Sequence, residues 1–216
     1  KIWDFKTAEC LNSLKGHSIS VYSIAISPDG KYIVSGSGDE TIKIWDFKTA
    51  ECLNSLKGHS SSVRSIAISP DGKYIVSGSV EETIKIWDFK TGECLNSLKG
   101  HSSSVDSIAI SPDGKYIVSG SDDETIKIWD FKTGECLNSL EGHFNNVNSI
   151  AISPDGKYIV SGSTDRRIKI WDIKTGECLN TLEGHSYSVT SVTITPDGKY
   201  IISGSIDETI KIWDIK

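Results

Sequence analysis

The sequence contains no methionine, no block of basic residues, no stretch with helical spacing of its apolar residues, and nothing near ~18 consecutive apolar residues. The last absence excludes a membrane-spanning helix. A formal net charge of −6 without a Lys/Arg cluster argues against nucleic acid or an anionic membrane as the main partner. There is no charged-then-apolar leader at Lys1, so no secretory signal is expected. The missing initiator Met and the start inside a strand-like run point to a fragment or a processed chain. Five cysteines, an odd number without paired spacing, offer neither a disulfide framework nor a structural zinc site. They fit small buried side chains in a reducing compartment, and hence a cytoplasmic location. With 37% hydrophobic residues and 19 Gly, the composition is globular and far from disorder.

What the sequence has is repetition. Trp recurs at Trp3, Trp45, Trp87, Trp129, Trp171 and Trp213, always 42 residues apart. His17, His59, His101, His143 and His185 keep the same period, as do Cys10, Cys52, Cys94, Cys136 and Cys178. The repeats run about 16–57, 58–99, 100–141, 142–183 and 184–216. Units 58–99 and 100–141 differ at only four positions, so each unit serves as an internal control for the others.

One unit reads as four short strands, at 63–69 (VRSIAIS), 74–79 (YIVSGS), 83–88 (TIKIWD) and 93–98 (ECLNSL). Between the first two, Pro70 presets φ at a turn corner and Gly72 supplies the positive φ after it. Apolar residues fall at both parities in the first two strands, as expected where both sheet faces are covered. Such a sheet must stack on copies of itself, and radial stacking of five leaves only short edges: an all-β propeller. A linear β-solenoid is the alternative, although its repeats are usually much shorter.

Gly-His opening each unit, Ser-Pro-Asp-Gly in the first turn (Thr195-Pro196-Asp197-Gly198 in the last) and Trp-Asp closing the third strand resemble the WD40 repeat. The resemblance covers essentially the whole chain, and it implies a hydrogen-bonded tetrad in every unit. The sets would be His17, Ser35, Asp39 and Trp45; His101, Ser119, Asp123 and Trp129; His143, Ser161, Asp165 and Trp171; His185, Ser203, Asp207 and Trp213. In the second unit His59, Ser77 and Trp87 match but Glu81 replaces the aspartate, so a looser or water-mediated tetrad is expected there. Ring closure stays open. Residues 1–15 supply strands for it, and 9–14 could complete the last sheet; alternatively further repeats or a second chain complete the ring.

Ser, His and Asp together invite a hydrolase reading. The trio recurs with a Trp in every unit but one, however, and no Gly-x-Ser-x-Gly elbow is present. Cys52 and His59 lie seven residues apart, which does not cluster zinc ligands, and Ser35-Gly36-Ser37-Gly38 lacks a phosphate-binding fingerprint. No catalytic residue, metal or cofactor is therefore expected.

The units differ mainly just before the Ser-Ile-Ala-Ile core and in the turn after the second strand. The first position reads Tyr22, Arg64, Asp106, Asn148 and Thr190; the second reads Gly38, Val80, Asp122, Thr164 and Ile206. Ile19, Val80 and Ile206 are expected to be exposed and to add apolar contact, Phe144 and Tyr187 add aromatic groups, and Lys15, Lys57 and Lys99 give way to Glu141 and Glu183 before the Gly-His pair. The family geometry puts both turns on one rim around the channel. Identical copies cannot read an asymmetric partner, whereas Tyr and Arg on a varied rim can. The expected function is a non-catalytic scaffold or recognition domain taking a protein or peptide on that rim. Two other readings are kept: a module that self-assembles to complete rings, and an enzyme with a channel ligand at Asp106 and Asp122.

Overall fold

The computed structural model describes residues 1–215, and the chain in it is entirely strand and turn. A short hairpin, β1 (Ile2–Trp3) and β2 (Cys10–Asn12), leads into the first sheet of β3 (Val21–Ile26), β4 (Tyr32–Ser37), β5 (Ile42–Asp46) and β6 (Cys52–Leu56). The second sheet is β7 (Val63–Ile68), β8 (Tyr74–Ser79), β9 (Thr83–Asp88) and β10 (Cys94–Lys99). The third is β11 (Val105–Ile110), β12 (Tyr116–Ser121), β13 (Ile126–Asp130) and β14 (Cys136–Leu140). The fourth is β15 (Val147–Ile152), β16 (Tyr158–Ser163), β17 (Ile168–Asp172) and β18 (Cys178–Leu182). The last has three strands, β19 (Val189–Ile194), β20 (Tyr200–Ser205) and β21 (Ile210–Asp214). Each sheet is an antiparallel meander, the blade of a propeller.

The turns follow from their residues. In the first, Gly72 N–H donates to Ser69 O at 2.8 Å with Gly72 at φ 71°, while Ser69 Oγ donates to Asp71 Oδ1. After the third strand, the aspartate of Trp-Asp closes the next turn: Asp88 Oδ1 accepts from Lys90 and Thr91 N–H at 2.9 and 2.7 Å.

Blades stack through their flat faces, with β3, β7, β11, β15 and β19 neighbouring one another along the inner wall. Between the first two blades, Val34, Ile42, Ile44 and Leu56 meet Val63, Ile66, Ile75 and Trp87. Equivalent residues form the next three interfaces. A hydrogen bond crosses each seam: Ser23 Oγ accepts from Ile66 N–H at 3.0 Å, and Ser65, Ser107 and Ser149 repeat the bond to the blade that follows. The fit is close enough to exclude a methyl group. A Cβ at Gly78 would lie 2.7 Å from Val105 Cγ1 and 2.9 Å from its carbonyl oxygen.

Sequence alone does not set burial here, because identical residues behave oppositely at the ends of the array. Ile126 and Ile128 are 0% and 1% exposed, whereas their counterparts Ile210 and Ile212 are 75% and 70% exposed. Likewise Ile66 is 6% exposed and Ile24 67%. A fully buried aliphatic side chain contributes roughly 1.5–3 kcal/mol, so each internal interface is worth several such terms.

Two expectations are corrected. The strand within 9–14 does not complete the last sheet in this structure. Instead β2 pairs with β1, with Ile2 opposite Asn12 and Trp3 opposite Cys10, the register that Ile44, Asn54, Trp45 and Cys52 keep in the first blade. A local turn closes that hairpin, which costs less chain entropy than joining distant segments. The five cysteines, expected to be buried, are all exposed and free. The fourth strand is the outer edge of its blade, and each Sγ donates outward to a carbonyl two residues on, as Cys52 does to Asn54.

Because the seam at Gly78 has no room, Gly78→Ala should lower stability by about 1–3 kcal/mol through overpacking. Chemical denaturation measures this, and a variant as stable as the parent would contradict the packing described.

Candidate functional site

Each tetrad begins with an obligate donor. Trp129 Nε1–H donates to Ser119 Oγ at 2.8 Å, so the serine hydroxyl proton points on to His101 Nε2 at 2.7 Å. That leaves Nδ1–H of the ring to donate to Asp123 Oδ2, also at 2.7 Å. The carboxylate in turn accepts from Ser102 N–H and from the Thr125 hydroxyl. The chain of bonds thus runs from the blade's third strand through its second into the loop before its first. His17, His143 and His185 form the same series with their serine, aspartate and tryptophan. Gly100, at φ 155°, lets the loop pass against the Trp129 ring, where a Cβ would sit 3.1 Å from Cη2.

The expected loosening at Glu81 does not occur. Its Oε1 lies 2.7 Å from His59 Nδ1, as short as the aspartate contacts. The extra methylene is absorbed by rearranged partners. Oε2 accepts from Ser60 N–H at 2.6 Å and from the Ser60 hydroxyl, Lys85 Nζ approaches Oε1 at 3.7 Å, and Thr83 moves into the sheet opposite Lys99. Burial on its own would raise the Glu81 pKa; donors from Ser60, Thr83 and His59 outweigh it and bring the carboxyl down to about 2. Burial opposes ionisation of Asp39, Asp123 and Asp207 too, and their hydrogen bonds hold them well below the usual range. Asp165 is brought down to about 2 in the same way. Burial depresses the His59 pKa against the opposing pull of Glu81, which keeps that ring neutral at neutral pH.

In this arrangement the serine hydroxyl is committed. Ser119, Ser161 and Ser77 are buried, and each accepts from a tryptophan while donating to a histidine. A nucleophile needs an exposed oxygen and an open space beside it. Among the described residues, no group of three or more His, Cys, Asp or Glu is arranged to hold a metal ion.

The residues that vary between blades come together at one end. Val80 N–H donates to Ser62 O, Asp122 to Ser104 O, Thr164 to Asn146 O and Ile206 to Ser188 O, so the two variable turns of each blade lie side by side. From blade to blade the variable strand residues touch in sequence. Arg64 stacks its guanidinium 4.4 Å from the Tyr22 ring centroid and reaches within 4.0 Å of Asp106. Asp106 faces Asp122 of its own blade. Burial, and then the neighbouring Asp106, push the Asp122 pKa up to about 6. Its Oδ1 is buried with no donor among the described residues, and below that pH the carboxyl carries a proton it can give to Asp106.

The remaining candidates divide by exposure. Ile19, Phe144, Tyr187, Thr190 and Ile206 are exposed, but Val80, expected to be exposed, is half-buried in its turn. Asn148 is engaged internally: Nδ2 donates to Thr164 Oγ1, Ser188 Oγ and Val189 O, which ties the fourth blade to the fifth. Two residues were missed from the sequence. Arg166 and Arg167 replace the Glu-Thr pair of the other units; Arg167 lies 5.6 Å from the Phe144 ring centroid and donates to Glu183 Oε1 at 3.0 Å. Their departure from the repeat was the available signal.

Blades of this kind, stacked through apolar faces and each pinned by a Trp–Ser–His–carboxylate chain, define a WD40-type propeller. Comparison with known proteins agrees: the family model for the WDR3 first beta-propeller domain matches residues 40–215, and that for the WD domain, G-beta repeat, matches 8–46. The chain belongs to the WD40-repeat β-propeller family. Individual relatives match over single repeats. Protein FIZZY-RELATED 1 of Arabidopsis thaliana is 48% identical over 42 residues, 19% of this chain and 9% of that protein. Nuclear distribution protein PAC1 of Arthroderma benhamiae is 42% identical over 43 residues, 20% and 9% of the two chains. APC/C activator protein CDH1 of Saccharomyces cerevisiae is 43% identical over 42 residues, 19% and 7%. Each match spans less than a tenth of the curated relative.

The lowered Glu81 pKa sets a pH dependence. A carboxylate more acidic when folded contributes stability above about pH 4.5, and that contribution fades as pH falls toward about 2. Glu81→Gln should therefore lose roughly 1–3 kcal/mol at neutral pH, with the deficit shrinking below pH 4.5. Denaturation curves across pH read this out, and a pH-independent deficit would contradict it.

Proposed function

We propose that this chain is a non-catalytic interaction module that takes a protein or peptide on its varied rim. The observation that carries the reading is the continuous row Tyr22, Arg64, Asp106, Asp122, set on blades that otherwise repeat one another. The row has direction. Tyr22 offers an aromatic edge, the Arg64 guanidinium donates to a carboxylate or carbonyl, and the acidic pair receives a cationic side chain. Ile19, Tyr187 and Ile206 add exposed apolar surface at the same end. A segment laid along this row meets different chemistry at each blade, which gives both orientation and selectivity. The opposite end repeats Ser-Pro-Asp-Gly-Lys almost unchanged and offers no such distinction. Protein-interaction scaffolding is the general role of WD40 propellers, and neither "APC/C activator" nor "nuclear distribution protein" names a chemical reaction in the relatives that carry it.

The test compares capture by three proteins: the parent, Tyr22→Ala with Arg64→Glu on the rim, and Lys31→Glu with Lys115→Glu on the opposite end. The rim variant should lose capture of specific partners by at least about tenfold while the other retains it. Equal capture by both would refute the rim.

A further inference from the structure

We infer that the turn at residues 164–167, with Phe144 beside it, is a second recognition site on the varied end, and that it takes a carboxylate side chain of an acidic peptide. This rests on the reading of that end as the one that binds a peptide. The row from Tyr22 to Asp122 lies on the first three blades, whereas this site lies on the fourth.

The repeats supply the comparison. At the corner after the second strand the other four units carry Glu40, Glu82, Glu124 and Glu208, each followed by a threonine. The fourth unit carries Arg166 and Arg167. Arg166 keeps the left-handed conformation of that corner, at φ 72° against 67–69° for the glutamates, and is exposed as they are. One corner of five is thus reversed in charge on an unchanged backbone. The second exchange gives up a bond. Thr41, Thr83, Thr125 and Thr209 each donate a hydroxyl to their tetrad carboxylate at 2.6–2.7 Å. Arg167 has no hydroxyl and gives Asp165 its backbone N–H alone, at 2.9 Å.

The replacements are held in place. Phe144 stands where the other units have Ser18, Ser60, Ser102 and Ser186, and its N–H donates to Asp165 Oδ2 at 3.1 Å. The two oxygens of Asp165 therefore anchor Phe144 and Arg167, and the Phe144 ring is left 68% exposed. The Arg167 guanidinium lies 5.6 Å from that ring's centroid, and its Nε donates to Glu183 Oε1 at 3.0 Å. Fixed on two sides, it has little freedom left to lose on binding. Its Nη groups make no hydrogen bond among the described residues, and Arg166 makes no ion pair there. Both arginines line an open recess of about 300 Å³ together with Glu183 and Gly184. Glu183 answers Arg167, Asp165 spends both oxygens inside the tetrad, and Arg166 is left without an acidic partner. Planar guanidinium donors match a carboxylate, which accepts two N–H bonds at once, and the exposed ring beside them receives the apolar stem of the incoming side chain.

Fluorescence anisotropy with a short labelled peptide of alternating Glu and Ser tests the site on the whole chain, at about 0.15 M salt to screen long-range attraction. Arg166→Glu with Arg167→Thr gives the fourth blade the pair that every other blade carries, so it should fold with no loss of melting temperature. It should weaken peptide binding by at least about tenfold. Lys31→Glu with Lys115→Glu shifts the net charge further but lies on the opposite end, and should leave binding unchanged. The same peptide with Gln in place of Glu should not bind. A parent that does not bind the Glu peptide overturns the inference, as does equal binding by the Arg166→Glu, Arg167→Thr variant or of the Gln peptide. This probe reads the fourth blade, whereas the capture test reads Tyr22 and Arg64, so failure of one is distinguishable from failure of the other.

Discussion

Every sheet in this chain is apolar on both faces, and that single constraint governs the rest. A strand such as β12 has Ile117 packed in the seam with the preceding blade and Val118 in the seam with the next, and both are fully buried. No blade can satisfy itself. Stacking is thus the source of stability, and the close notch-and-knob seams make one stacking geometry far better than its neighbours. The tetrads act within this frame. They join the third strand, the second strand and the incoming loop of each blade, so that the loop carrying variable residues leaves from the same place every time.

Uniformity below makes variation above meaningful. When the frame repeats, a substitution at position 22, 64 or 106 changes the chemistry of one sector without moving it. Arg64 stacking on Tyr22 and reaching Asp106 links three blades into one surface, and burial together with the neighbouring Asp106 raises the Asp122 pKa beside it. The histidines and serines, the residue types most suggestive of chemistry, are instead consumed in holding the frame.

The period, the strands and the tetrad partners were legible because each rests on local rules repeated five times. Turn residues announce themselves, and a donor-only indole needs an acceptor at fixed reach. What was not legible depended on neighbours or on side-chain freedom. Cys52 reads as a core residue until the strand bearing it proves to be the outer edge. Glu81 reads as too long for its tetrad, but its flexible chain recruits Ser60 and Lys85 and keeps the contact to His59 short. Ile126 and Ile210 are the same residue in the same motif, and nothing in the motif says which one lacks a neighbour. The contact of Arg64 with Tyr22 lies across a blade boundary, where repeats compared in alignment do not show adjacency.

Hydrogen exchange tests the central claim most directly, since β4 and β12 share the sequence YIVSGS and differ in whether a blade packs on one face of their sheet or on both. If stability is lent by the adjoining blades, the amides of β12 exchange only on global unfolding, while those of β4, whose blade has one open face, exchange through a lower-energy local opening. Equal protection of the two strands would mean that each blade is stable by its own sequence, and would contradict stacking as the source of stability.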